Sequence, residues 1–352
     1  MKPADILRAR IAIQLGRPRP DATAVVRTFC AVQAQDYRAS LWGIGLRVSG
    51  AQESDVERAL ETRSIVRTWP MRGTLHFVAA DDVRWMLRLM TSRVLSGAAA
   101  RYRELELDDR VFARARAVVE KRLSGDRRLT RPELFEVLDQ AGIETANQRG
   151  VHILSFLSMT AVLCIGPHRG KQPTVALLDE WVPQSRSLDE EEALGEVAHR
   201  YFESHGPATE QDLAWWTGLP LGMVRRGIDV ARAHLEQRGD YLVDRRSAAE
   251  ATSERVHLLP PFDEYTVAYK DRSAFLDPEH AERTRFGIMS PVAVIDGRIA
   301  GVWSRATKKD RVSLLIETFE PVTKRLRSEI ERCAARYGQF LGMPADVELT
   351  AS

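Results

Sequence analysis

Two glutamines separated by one small residue, Gln33-Ala34-Gln35, stand at the end of an apolar run and just before Asp36 and Tyr37. On a helix over 22–33, at ~100° per residue, Val25, Val26, Phe29 and Cys30 define the apolar face and Gln33 falls on it. A glutamine turned inward must find hydrogen-bond partners or leave polar atoms unsatisfied. If the helix ends near Gln33 and the chain extends, residues two apart point to one side, and Gln33 and Gln35 project into the same space. The pattern alone leaves two readings open: capping or core-satisfied glutamines, and a pair of amides offered to a reacting ligand. An amide has no useful pKa, so it cannot serve as a general base at neutral pH. Its oxygen and dipole can orient a water and ease a developing positive charge. Asp36 is the carboxylate alternative, either a catalytic group or a turn residue after the helix.

Other residues extend the candidate set. His76 lies two residues from Thr74, on the same face of an expected strand. Asp263 and Glu264 sit beside Tyr265 at a loop-to-strand junction, where they support catalysis or form a structural ion pair. Three basic groups suit phosphate contact or simple solvation: Arg169 with Lys171, Arg225 with Arg226, and Lys308-Lys309 with Arg311. The last falls between Trp303 and Val312, at an expected hairpin tip. Net charge is only +2, but 51 residues are basic and seven of them are lysine. The remainder are arginine, which suits bidentate phosphate and guanine contacts; the codon bias of a GC-rich genome produces the same excess. Trp215, Trp216 and Trp303 are expected in cores or domain contacts.

Several chemistries are disfavoured. There is no Gly-x-x-x-x-Gly-Lys loop, Gly-x-Ser-x-Gly elbow, dinucleotide fingerprint or helix-hairpin-helix signature. Cys30, Cys164 and Cys333 are far apart and odd in number, which argues against a disulfide framework. No Cys-x-x-Cys pair exists, and His199 and His205 lack the i, i+4 spacing of a helical metal pair. No metal site and no cofactor is expected. With 44% hydrophobic and 28% charged residues the composition is globular. No apolar run approaches the roughly 20 residues of a membrane span, and no apolar signal core opens the chain. A cytoplasmic, nucleoid-associated location is the expectation.

These residues must be held by repeating elements. Residues 109–123 have helical spacing, Thr130 caps a helix with Pro132 in its first turn, and a third helix is expected over 146–160. Strands at 161–165 and 174–178 follow, joined by a basic turn. Three helices and a hairpin describe a winged helix-turn-helix. The unit recurs: Glu192–Phe202, a helix capped by Thr209 and ended by Gly218, Pro220–Ala233, then a strand at 241–243. It recurs more loosely at the start, with helices near 4–15, 22–33 and 54–62, strands at 65–69 and 74–78 joined by Pro70-Met71-Arg72-Gly73, and a helix from Asp81 to about Thr91. The end differs, with strands at 256–260, 265–269, 291–295, 299–303 and 312–316, an Asp296-Gly297 hairpin signal and a closing helix over 320–341. The expected fold is α+β: winged-helix segments at 1–95, 108–185 and 186–247, then a β-rich, partly barrel-like domain at 253–352.

Gln33-Ala34-Gln35 resembles the Gln–aliphatic–Gln motif of the AlkZ-like branch of winged-helix DNA glycosylases. Thr68-Trp69-Pro70-Met71-Arg72-Gly73-Thr74-Leu75-His76, Leu258-Leu259-Pro260-Pro261-Phe262-Asp263-Glu264-Tyr265 and Gly297-Arg298-Ile299-Ala300-Gly301-Val302-Trp303 resemble that family too, in order along nearly the whole chain. The resemblance implies three winged helices in a C shape around a DNA channel, closed by the β-rich domain, with the strand pair carrying Arg72 and His76 beside the channel. It implies a partner, double-stranded DNA carrying alkylated purines, and Gln35 orienting water with Gln33 in support. A purine alkylated at N7 is cationic and its sugar bond already weak, so an amide suffices and neutral lesions such as uracil are not substrates. The expected activity is monofunctional hydrolysis of bulky or crosslinked N7-alkylguanine adducts by a monomer, in self-resistance of an antibiotic producer or in housekeeping base-excision repair. A lyase needs an amine nucleophile, and no lysine lies between Lys2 and Lys121. The alternative is a non-enzymatic winged-helix transcriptional regulator, which has no need of both glutamines.

Overall fold

Reciprocal capping sets two of the helix starts. Thr130 accepts the Glu133 N–H while the Glu133 carboxylate takes the Thr130 N–H at 2.6 Å, and Thr209 and Asp212 repeat the arrangement. The helices Arg131–Gln140 and Glu210–Thr217 start there, and Gly218, in the left-handed conformation, ends the second. The computed structural model describes residues 1–247 and 254–351. The expected boundary at 253 and the terminal Ser352 lie outside the described residues. By its contacts the chain divides into two units, Met1–Val56 with Leu194–Ser352, and Glu57–Ala193. The expected segment 108–185 falls within the second unit and 186–247 almost wholly within the first, while 1–95 is divided between them.

In the Glu57–Ala193 unit the helices Asp109–Leu123, Arg131–Gln140 and Arg149–Met159 precede a hairpin of Leu163–Arg169 and Gln172–Leu177. Phe112, Ala115, Val119, Leu134, Leu138, Ile153, Leu157 and Leu163 fill the core between them. The strands Ile65–Met71 and Thr74–Ala79 form a second hairpin, joined to the first through Arg67 and Ile165. Their turn is only Arg72-Gly73, with φ of 54° and 67°. Two left-handed residues match the twist of a tight hairpin, so Pro70 and Met71 belong to the strand and not to the turn. Asp81 does not cap the next helix. It sits in a short 3-10 turn, and the helix runs Val83–Gly97, with the Asp82 carboxylate taken by the Trp85 indole at 2.9 Å.

The other unit combines both ends of the chain. Pro3–Gln14, Ala22–Thr28, Tyr37–Gly45, Glu190–His205, Glu210–Thr217 and Leu221–Val230 are among its helices, the fourth starting just before it. Leu235–Arg238 and Tyr241–Asp244 form a small hairpin. The helix Tyr37–Gly45 is additional to the sequence expectation. Residues 265–269 are not a strand, because Asp263 accepts the Tyr265 N–H and turns Glu264–Val267 into one helical turn. That run is buried on all sides, which removes the alternation that separates strand from helix. The C-terminal sheet runs Ala345–Ala351, Val312–Thr318, Arg298–Thr307, Val292–Ile295, Val256–Leu259. It is open, with the first and last as edges, and is not a closed barrel. Ala345–Ala351, absent from the sequence expectation, pairs parallel to Val312–Thr318 after the helix Lys324–Phe340 crosses between them. Gly301 is required here, since a Cβ would collide with the Glu317 carbonyl oxygen. Among the described residues no helix is long and apolar enough to cross a membrane.

Candidate active site

The segment that presents the two glutamines is built from a helix stop, a short strand and a helix start. Asp21 caps Ala22–Thr28 through the Ala24 N–H at 2.8 Å. Cys30 then takes a left-handed φ of 65°, which stops the helix well short of the expected residue 33. Ala31–Gln33 is extended, and Asp36 caps the helix Tyr37–Gly45 by accepting the Ala39 N–H at 3.1 Å. Gln33 is therefore a strand residue, only 8% exposed, and Gln35 is exposed in the bend that follows. Ala34 between them is fully buried. Asp36 has the turn role, with its carboxylate engaged at the helix start.

A buried polar cluster lies behind this segment. The Gln33 N–H donates to Glu264 Oε1 at 2.7 Å. Glu264 Oε2 accepts the Trp216 indole N–H at 2.9 Å and lies 3.5 Å from His205 Nε2. Beside it, Arg47 holds Asp263 with two hydrogen bonds of 2.8 and 2.9 Å and gives a third to the Gly43 carbonyl. Burial works against the Arg47 charge, and Asp263, aided by Glu264 and Tyr269, more than offsets it, so the guanidinium pKa lies above its ordinary value. Its carbon sits 4.8 Å from the Phe29 ring centre. Gln14 donates to the Tyr269 hydroxyl, which donates to the His205 carbonyl. Asp263 is thus a buried ion-pair and capping residue.

The remaining candidates are dispersed. His76 is fully buried in the Glu57–Ala193 unit. Its Nδ1 lies 3.0 Å from the Thr74 carbonyl oxygen, which can only accept, so Nδ1 carries the proton and Nε2 faces Arg72 Nη2 at 3.4 Å. Arg169 is engaged by Glu133 at 2.9 Å and Arg225 by Glu210 at 2.8 Å. Lys171 and Arg226 are exposed. Lys308 and Lys309 are exposed at the turn between Arg298–Thr307 and Val312–Thr318, and Arg311 reaches Asp346 at 3.3 Å. Trp216 and Trp303 are buried as expected, whereas Trp215 is 45% exposed. Sequence reasoning missed Arg47, Gln14 and His205 as parts of the site, and gave Glu264 no separate role. Among the described residues no group of His, Cys, Asp or Glu could hold a metal ion.

The chain matches the family described as "DNA glycosylase AlkZ-like" across residues 26–340. It belongs to the AlkZ-like DNA glycosylases. The match begins inside the helix that leads to Gln33 and ends with the last residue of Lys324–Phe340. The chain is also similar to a protein of Streptomyces sahachiroi named interstrand DNA cross-link repair glycosylase. The identity is 28% over 357 residues, covering 93% of this chain and 92% of that one. Its structure resembles that of the S. sahachiroi DNA glycosylase AlkZ, with a TM-score of 0.81, 25% identity and 98% of each chain covered. The α/β fold is the AlkZ fold, and the chain is a DNA glycosylase, an enzyme that cleaves N-glycosyl bonds. The cluster around Glu264 and Asp263 is therefore part of a glycosylase scaffold.

Proposed function

We propose that this glycosylase removes N7-alkylguanine and related cationic alkylpurine adducts, bulky or crosslinked ones included, through Gln33 and Gln35. The observation that carries this is the pair itself. Gln33 closes the short strand and Gln35 lies exposed in the bend just after it, and the adjacent carboxylates, Asp36 and Glu264, are engaged by backbone N–H groups. A cationic purine is already a good leaving group, so the protein has only to place a water and tolerate the cationic sugar. Gln35, the exposed member, orients the water, and Gln33 supports it. The cross-link repair activity named for the S. sahachiroi relative supports a large substrate.

The helical triads followed by hairpins are read as winged helices that grip duplex DNA. Lys308 and Lys309 at their turn, Lys171 and Arg226 are the proposed phosphate contacts, with Arg72 at its hairpin tip beside His76. Arg169, Arg225 and Arg311 join them by exchanging a carboxylate for a phosphate. Arg305, on the strand leading to the Lys308 turn, is held below its ordinary pKa by burial, against the opposing pull of Asp36 and Glu53.

The test is base release by the purified protein from duplex DNA carrying N7-methylguanine, with a uracil duplex as control. Free N7-methylguanine and an intact abasic strand are expected, with uracil left in place and no covalent species trapped by borohydride. Uracil release, or strand scission before alkali, would overturn the proposed chemistry.

A further inference from the structure

Glu264 touches the glutamine segment directly, and its two oxygens have different tasks. Oε1 accepts the Gln33 N–H at 2.7 Å and Oε2 the Trp216 indole N–H at 2.9 Å. Trp216 and Glu264 are at most 1% exposed, so water offers no replacement partner. The third neighbour, His205, is also fully buried, and its protonation follows from the groups around it. Ser204 Oγ donates to the Arg200 carbonyl at 2.6 Å, so toward His205 Nδ1, 2.8 Å away, the hydroxyl must accept. Nδ1 therefore carries the ring proton. Nε2, the unprotonated nitrogen, faces Glu264 Oε2 at 3.5 Å and has no other partner among the described residues. Burial holds the ring below its ordinary pKa, against the pull of Glu264, which keeps it neutral.

This geometry requires a side chain with two acceptor edges. An amide of the same shape would set its NH2 against either the Gln33 N–H or the Trp216 N–H. We propose that Glu264 is a positioning residue, whose carboxylate fixes the Gln33 peptide and through it the placement of both catalytic amides. The proposal rests on the reading that Gln33 and Gln35 carry the reaction. Glu264 touches the backbone of the segment and is itself only 1% exposed.

The wiring predicts a rescue that a purely structural role does not. Glu264→Gln should lower the single-turnover base-release rate by ~10- to 100-fold, the cost of displacing a catalytic group by an ångström or less, with DNA affinity retained. Trp216→Phe removes the competing donor. In the double variant the amide oxygen can face the Gln33 N–H while its NH2 donates to His205 Nε2, so most of the lost rate should return. A double variant as slow as Glu264→Gln, or a Glu264→Gln variant at full rate, overturns the proposal. A measurement on the unaltered protein stands beside these in case the variants fold poorly. The Gln33 amide proton should resonate well downfield, as expected of a short bond to a carboxylate, and an ordinary shift overturns the assignment. Activity in a Gln33→Ala, Gln35→Ala double variant would instead remove the wider reading. Loss there with Glu264→Gln at full rate would remove only this one.

Discussion

Alanine at both Gln33 and Gln35 should reduce single-turnover base release by roughly 10³-fold while duplex affinity changes only a few-fold. The size follows from removing preorganised dipoles next to a developing charge, where one lost donor already costs on the order of 10²–10³-fold. Affinity is spared because phosphate contacts dominate it, and neither glutamine is charged. The split between rate and binding is the discriminating feature. Asp36 provides the control. Its carboxylate caps a helix, so Asp36→Asn should retain nearly all activity, and loss comparable to the glutamine variants would make Asp36 the catalytic group. Single variants assign the roles, with the larger loss expected at Gln35.

The second large effect is on stability. Arg47→Ala should destabilise the protein by ~3–5 kcal/mol, because Asp263 is left charged and buried without an opposite charge. Both side chains of the pair are 1% exposed, so solvent cannot take over. The same truncation removes the cation beside Phe29 and the donor to Gly43. Replacing both members, Arg47→Met with Asp263→Leu, should recover part of the loss because no isolated charge remains. Asp263 also caps the turn that begins at Glu264, so recovery stops short of complete. Urea unfolding would read the difference. A midpoint for Arg47→Ala equal to that of the unaltered chain would mean that water or another group compensates Asp263.

Much of the fold was legible because its signals are local. Thr130 and Thr209 announced their helices, and Asp296-Gly297 its hairpin, with φ of 50° and 85°. The helix through Gln33 was misread because Cys30 takes a left-handed backbone without being glycine, and nothing in its side chain signals that. Strand Ala345–Ala351 was missed because it follows a long crossover and its partner lies about thirty residues earlier. The glutamine pair was visible in the sequence, and so was Asp263 as half of an ion pair, but not its partner. Arg47 and Asp263 are 216 residues apart, and Gln33 and Glu264 are 231 apart. Pairings at such separation leave no periodicity, so one sequence does not reveal them.

The unit that holds the glutamine segment is assembled from the first 56 residues and everything after 193. A ribosome therefore releases the segment long before its partners exist. At ~5–20 residues per second, the 231 positions between Gln33 and Glu264 take about 10–50 s to synthesise. The intervening unit, Glu57–Ala193, is complete within that interval and has its own apolar core. Through that wait Val25, Val26, Phe29 and Ala34, all fully buried in the finished protein, lack the part of their unit that follows residue 193. The cover over the segment around Gln33 is thus completed only once synthesis has passed Glu264.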